Sequence, residues 1–213
     1  MNKKILFIQP TIYDDKDKLV KKRKLYFVGL AHPLLSALLP EGWTSELCLE
    51  VIEEIPWNTD ADVIGIGGVG HAARRAKDIA IQFKKRGKIV FMGGPMVSLV
   101  PELAKQYCDS VMIGDSELTI AELCHDIEND ALKPFYEKPV TNLTFPTPKY
   151  ELLLGKKIGN FLPVQAGRGC PNTCKFCTIS CIFKGRYVRR KIDEVMRDIE
   201  YIKKLGFKQF LLV

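Results

Sequence analysis

The chain is 213 residues long, 46% hydrophobic and 27% charged, which is ordinary for a soluble globular protein and enough for one large or two ordinary domains. No apolar stretch reaches the ~20 residues of a membrane span, and Met1-Asn2-Lys3-Lys4 leads into a run too short and poorly bounded for a signal peptide, so a cytoplasmic location is expected. The net charge of +7 is uneven: residues 1–140 hold 18 Lys and Arg against 20 Asp and Glu, residues 141–213 hold 14 against 5.

From the N-terminus, residues 5–8 form a short apolar run ending at Gln9-Pro10, as a buried parallel strand would. A charged loop follows over 14–24, then a short helix over 33–39 stopped by Pro40, and an alternating strand over 44–51. Residues 62–68 read as a third strand with a glycine end, and 72–83 as a helix closed by Gly87. Two more strands, at 88–92 and 110–113, alternate with helices near 98–107 and 116–128. Parallel neighbours need helical crossovers, so this alternation predicts an α/β fold with a doubly wound, parallel, five-stranded sheet over residues 1–128.

The ligand crevice of such a sheet lies at the carboxyl ends of its strands. Here those ends carry Gly67-Gly68, Gly93-Gly94-Pro95 and Gly114. Glycines let a ligand approach the backbone closely, although they also serve plain tight turns. Gly65-x-Gly67-Gly68 is not the spaced dinucleotide fingerprint, and there is no P-loop. His71 follows one glycine end and reads as a polar helix-start residue, while Cys48, Cys108 and Cys124 read as small buried hydrophobes.

Residues 129–157, with Pro134, Pro139, Pro146 and Pro148 and little periodicity, read as a linker. Residues 158–213 then hold a strand over 161–166, a helix over 192–205 ended by Gly206, and a strand over 209–213. Between them stands Cys170-Pro-Asn-Thr-Cys174-Lys-Phe-Cys177, three cysteines at C-x3-C-x2-C spacing on a glycine-flanked loop. A four-iron cluster held by three thiolates keeps one iron open to a further ligand. Cys181 extends the pattern, so a closed four-thiolate cluster or a zinc site is an alternative, although zinc sites usually pair two short clips and this chain has a single C-x2-C. Plain structural cysteines are the remaining reading, and Gly167, Gly169 and Pro171 make a poor core segment for them. Seven cysteines, an odd number with four clustered, do not resemble a secreted disulfide framework. The densest basic run, Lys184, Arg186, Arg189, Arg190 and Lys191, matches no nucleic-acid module; it reads as a solvated helix start, and no nucleic-acid partner is expected.

The cysteine spacing, with Phe176 before the last cysteine, resembles the radical S-adenosylmethionine (SAM) superfamily. That resemblance implies Cys170, Cys174 and Cys177 as ligands of a 4Fe-4S cluster whose open iron binds SAM, and Phe176 against its adenine. The order of α/β domain, linker and three-cysteine loop, together with Gly93-Gly94-Pro95, Pro101-Glu102 and the stretch from Asp109 through Gly114 to Glu117, resembles the cobalamin-binding members. Cobalamin would then lie at the edge of Gly67, Gly68, Gly93, Gly94, Pro95 and Gly114. Met96 replaces a frequent histidine and Asp115 a glutamate, and the D-x-H-x-x-G signature is missing from the loop after the first strand. Cobalamin without a protein histidine on cobalt is therefore expected.

By the same resemblance residues 158–213 are the first β-α-β unit of a partial (β/α) barrel, and a chain holding only that unit is expected to be inactive alone. The implied activity is reductive SAM cleavage for methyl transfer to an unactivated carbon, with a reductant such as flavodoxin or ferredoxin and a substrate that the residues do not identify. Two other readings stay open: an RNA methylthiotransferase-like enzyme, and a non-catalytic iron–sulfur binding or electron-transfer module.

Overall fold

A computed structural model describes residues 2–138 and 144–213. They form two compact units, one of residues up to Arg23 and from Leu38 to Lys138, the other of Lys24–Ala37 and the described residues from 144 onward. Among the described residues no helix is long and apolar enough to cross a membrane.

The first unit is built on β1 (Lys3–Gln9), β2 (Trp43–Leu49), β3 (Val63–Gly67), β4 (Ile89–Gly93), β5 (Ser110–Ile113) and β6 (Phe135–Glu137). These lie in the order β2-β1-β3-β4-β5-β6, all parallel. The order reverses between β1 and β3, which marks the crevice of a doubly wound sheet. The sheet has six strands rather than the expected five. Strand β6 falls in the stretch read as linker because three residues behind Pro134 carry no period to detect; what makes them a strand is tertiary. Tyr136 is buried and its hydroxyl donates to Asp126 at 2.7 Å, while Phe135 and Glu137 register against Val111 and Ile113.

The expected helix over 98–107 is two short pieces. In order, α1 is Ala31–Ala37, α2 Ala73–Lys84, α3 Pro95–Ser98, α4 Pro101–Lys105 and α5 Ile120–Glu128. Pro101 causes the break, since it lacks the N–H that a continuous helix requires and sits at the start of α4 instead. Helix α2 buries Ala76, Ile79, Ala80 and Phe83 against Leu6, Ile8, Ile64, Ile66, Val90 and Met92, the alternate positions of three neighbouring strands. The other parity carries Phe7, Gly65 and Phe91. The two rings meet edge to face at 6.2 Å, and a Cβ on Gly65 would lie 2.5 Å from Phe91 Cζ. Gly65 is thus a packing glycine inside β3, with its role set by the rings on β1 and β4.

In the second unit β7 (Phe161–Val164) pairs in parallel with β10 (Gln209–Leu212), and α7 (Ile192–Lys204) is the crossover. Between β7 and α7 come β8 (Gly167–Gly169), α6 (Thr178–Phe183) and β9 (Tyr187–Arg189), with β8 and β9 antiparallel. The stretch 24–37 joins this unit through main-chain pairing, Leu25 bridging Ile158 and Lys149 N–H donating to Pro33 C=O.

Candidate functional site

The chain offers two sites, one in each unit. The first is the cysteine loop. Strand β7 runs through buried Leu162, Pro163 and Val164 into Gln165, and the loop leaves from there. Its ends are tied together: Arg190 N–H donates to Ala166 C=O at 2.9 Å and Cys170 N–H to Arg186 C=O at 3.2 Å. Gly169 makes that closure possible. It has φ +88°, and a Cβ there would stand 2.1 Å from the Arg186 carbonyl oxygen.

Within the loop Cys174 and Cys181 are exposed, while Cys170 and Cys177 are partly buried. Cys177 is the N-cap of α6, and hydrogen bonds from the backbone of Ser180 and Ile179 hold its thiol below the ordinary value, favouring the thiolate that metals bind. Phe176 is 92% exposed. Among the described residues no three His, Cys, Asp or Glu side chains are gathered at metal-binding distance, so the three thiols share one accessible loop without converging. Their number, softness and exposure fit an iron–sulfur cluster, whose assembly would draw them together.

Arg190 is corrected by the structure. Sequence placed it in a solvated basic run, but it is buried, donating from Nη1 to Asp198 at 2.7 Å and to the Gln165 carbonyl at 3.1 Å. Asp198 is itself fully buried and accepts from Thr147 Oγ1 at 2.9 Å. Breaking one side of such a pair strands a buried charge, so the pair holds α7 to the strand that feeds the loop. The only sequence signal was the spacing of Arg190 and Asp198 across the start of α7, which does not distinguish an inward from an outward face.

The second site is the glycine edge of the sheet. The carboxyl ends of β3, β4 and β5 are hydrogen-bonded into one rim. Met96 N–H donates to Gly68 C=O at 3.3 Å, Ser98 Oγ donates to Gly94 C=O at 2.9 Å and accepts from Gly114 N–H at 2.9 Å. Gly94, at φ +84°, would place a Cβ 3.1 Å from the Gly68 oxygen. Gly114, at φ +71°, faces open space. Gly67 and Gly93 are register partners at the ends of β3 and β4, and Pro95 opens α3. The structure thus brings together Gly67, Gly68, Gly93, Gly94, Pro95 and Gly114, and adds Ser98, whose bridging hydroxyl carried no motif. Val69, Leu99, Val100, Leu103 and Leu118 are exposed apolar side chains on the segments after these strands. His71 is exposed in a single 3-10 turn, Gly70–Ala72, ahead of α2.

The loop after β1, where a cobalt-ligating histidine signature would stand, is held by other means. Thr11 N–H donates to Glu50 Oε2 at 2.9 Å, and Arg75 Nε donates to Glu50 Oε1 at 2.8 Å, with Glu50 buried. Asp14 Oδ1 accepts the N–H of Lys16 and Lys18, and Asp17 pairs with Arg74 at 2.5 Å. A cavity of about 490 Å³ flanks α2, lined by Tyr13, Trp57, Arg75, Asp78, Ile81, Gln82 and Arg86; none of the strand-end glycines lines it. The three remaining cysteines are buried, and burial pushes the thiol of Cys108 up to about 11 and that of Cys124 up to about 12.

No family model matches the chain. It is 31% identical over 197 residues to bacteriochlorophyllide d C-8(2)-methyltransferase of Chlorobaculum tepidum, covering 88% of this chain and 43% of that one. It is 37% identical over 163 residues to the ribosomal protein uS12 methylthiotransferase RimO of Thermosipho africanus, covering 72% and 35%. Among solved structures, the radical SAM methyltransferase TsrM of Kitasatospora setae, with tryptophan and a SAM analogue bound, superposes at TM-score 0.69 and 13% identity, over 99% of this chain and 47% of that one. The same enzyme has been solved with cobalamin and a 4Fe-4S cluster. The chain spans less than half the length of each of these proteins, and the likeness to TsrM is one of fold.

Proposed function

We propose that this chain, a radical SAM-like protein of the cobalamin-binding-domain type, acts in a cobalamin-dependent enzyme that cleaves SAM reductively and transfers a methyl group to an unactivated carbon. The observation that carries the reading is the cysteine loop, three accessible thiols after a parallel strand, closed by Gly169 against the Arg186 carbonyl. Cys170, Cys174 and Cys177 would hold a 4Fe-4S cluster, leaving one iron for SAM, with Phe176 free to lie against the adenine. Gly67, Gly68, Gly93, Gly94, Pro95 and Gly114 would receive cobalamin. Their missing side chains let a flat ring system approach the backbone, and the apolar residues beside them are what such a ring would cover. The chemistry supplied on binding is one electron to the SAM sulfonium, giving methionine and a 5′-deoxyadenosyl radical, together with carriage of a methyl group on cobalt. The protein's share is to hold the thiolates, keep one iron open, and shape the two edges.

A methylthiotransferase reading is favoured by the RimO relative. It would require further cluster cysteines in the first unit, and Cys48, Cys108 and Cys124 are buried among its core and edge residues. Anaerobic reconstitution with iron and sulfide tests the primary reading. About four irons per chain are expected, lost on alanine substitution at Cys170, Cys174 or Cys177 and kept in Cys181→Ala. An equal requirement for Cys181 would replace the open-iron reading with the closed, non-catalytic one.

A further inference from the structure

Residues 166–192 contain seven cations and no carboxylate. Arg190 is buried and Arg168 partly so, but Lys175, Lys184, Arg186, Arg189 and Lys191 are exposed, and among the described residues none of these five makes an ion pair. Their placement follows from the backbone. Strand β9 pairs with β8 alone, so its other edge is open. Lys184, at φ 50°, and Gly185, at φ 78°, turn the chain sharply into that strand. Arg186 lends its main-chain carbonyl to the N–H of Cys170 while its side chain stays exposed. Tyr187, 46% exposed, lies against Gly167, with the Arg189 guanidinium 5.8 Å from its ring centroid. The result is an aromatic centre rimmed by unpaired cations, one hydrogen bond from a cluster ligand. Five like charges kept together without partners repel one another, which is a standing cost in the free protein unless an anionic surface meets them.

We propose that the β9 edge is the docking surface for an acidic electron-donor protein, of the flavin or iron–sulfur one-electron class, and that the electron reaches the cluster past Arg186 and Cys170. The step moves one electron from the reduced donor cofactor to the oxidised cluster, with no bond made or broken and no proton transferred. It rests on the cluster reading above. The chemistry that selects the partner is charge: carboxylates on the donor meet Lys184, Arg186, Arg189 and Lys191, which steer the encounter and fix its orientation, while Tyr187 supplies the apolar centre. A nucleic acid would also be drawn to cations, but it offers no reason for them to gather beside a redox ligand.

The test follows reduction of the reconstituted cluster by stopped flow, using a reduced acidic flavodoxin as donor and, in parallel, photoreduced deazaflavin. The variants are Arg186→Glu with Arg189→Glu, and the milder Arg186→Gln with Arg189→Gln; neither removes a main-chain hydrogen bond or an ion pair. At low ionic strength the charge-reversed pair should slow reduction by flavodoxin at least ~10-fold, and the neutral pair by less. Added salt should slow the wild type and leave the charge-reversed variant nearly unchanged, while deazaflavin reduces all forms at one rate. Equal flavodoxin rates in wild type and variants, with the cluster loaded, overturn the docking surface alone. Tight binding of single-stranded RNA at physiological salt that both variants lose, with flavodoxin reduction unaffected, reassigns the surface to nucleic acid. A wild-type chain that takes up no cluster removes the function proposed above, and this inference with it.

Discussion

At Gly169 the backbone φ of +88° and the Arg186 carbonyl, 2.1 Å from where a Cβ would stand, leave room for no side chain. Gly167, two residues earlier, is crowded by Tyr187 Oη at 2.5 Å, but that is the free end of a mobile side chain. Gly169→Ala should therefore open the loop and lose most of its iron after reconstitution, while Gly167→Ala keeps it. Iron analysis of the two variants decides, and equal retention would mean that the closure is not needed. The cysteines were legible from spacing alone, because ligand geometry imposes that spacing. Which neighbouring glycine is obligatory was not, because the need arises from pairing with β9, seventeen residues further on. Arg190 illustrates the same limit: its partners Asp198 and the Gln165 carbonyl exist only once α7 has crossed back over β7.

Among the elements, α5 and β6 are joined by charge. Glu122 of α5 accepts hydrogen bonds from Lys133 and Lys138, on either side of β6, and these hold its carboxyl well below the usual 4.5, at about 2. A depressed carboxyl adds stability that is fully present above its unfolded-state value and is lost as pH falls through the folded one. Glu122 is partly exposed, so the effect is modest. At neutral pH the wild type should melt slightly above Glu122→Gln, and the gap should close between about pH 4.5 and 2, as thermal unfolding would reveal. A gap independent of pH would show that the pairs add nothing. The glycine-bearing ends of β3, β4 and β5 give a second expectation. If cobalamin binds there, Co(II) electron paramagnetic resonance should show no nitrogen splitting that His71→Ala removes; a splitting lost in that variant would put a protein histidine on cobalt. The strand ends were readable because alternation places them on one edge. Their linkage through Ser98 was not, since a serine four residues after Gly94 is unremarkable until Gly114 is seen beside it.

For the molecule as a whole, the parallel sheet followed from strand–helix alternation, and the uneven charge from simple position along the chain. Strand β6 and the membership of residues 24–37 in the second unit did not, since both rest on pairings with distant residues, Val111 with Phe135 and Leu25 with Ile158, that leave no local pattern. The molecule's central claim is that its three thiolates leave one iron open for SAM. The most direct measurement is electron–nuclear double resonance on the reduced, reconstituted protein with SAM labelled by 15N in its amino group and 17O in its carboxylate. Hyperfine coupling from both labels is expected, present in Cys181→Ala and absent without SAM. A cluster that forms but shows no coupling from either label would contradict the account, and would make this loop an electron carrier.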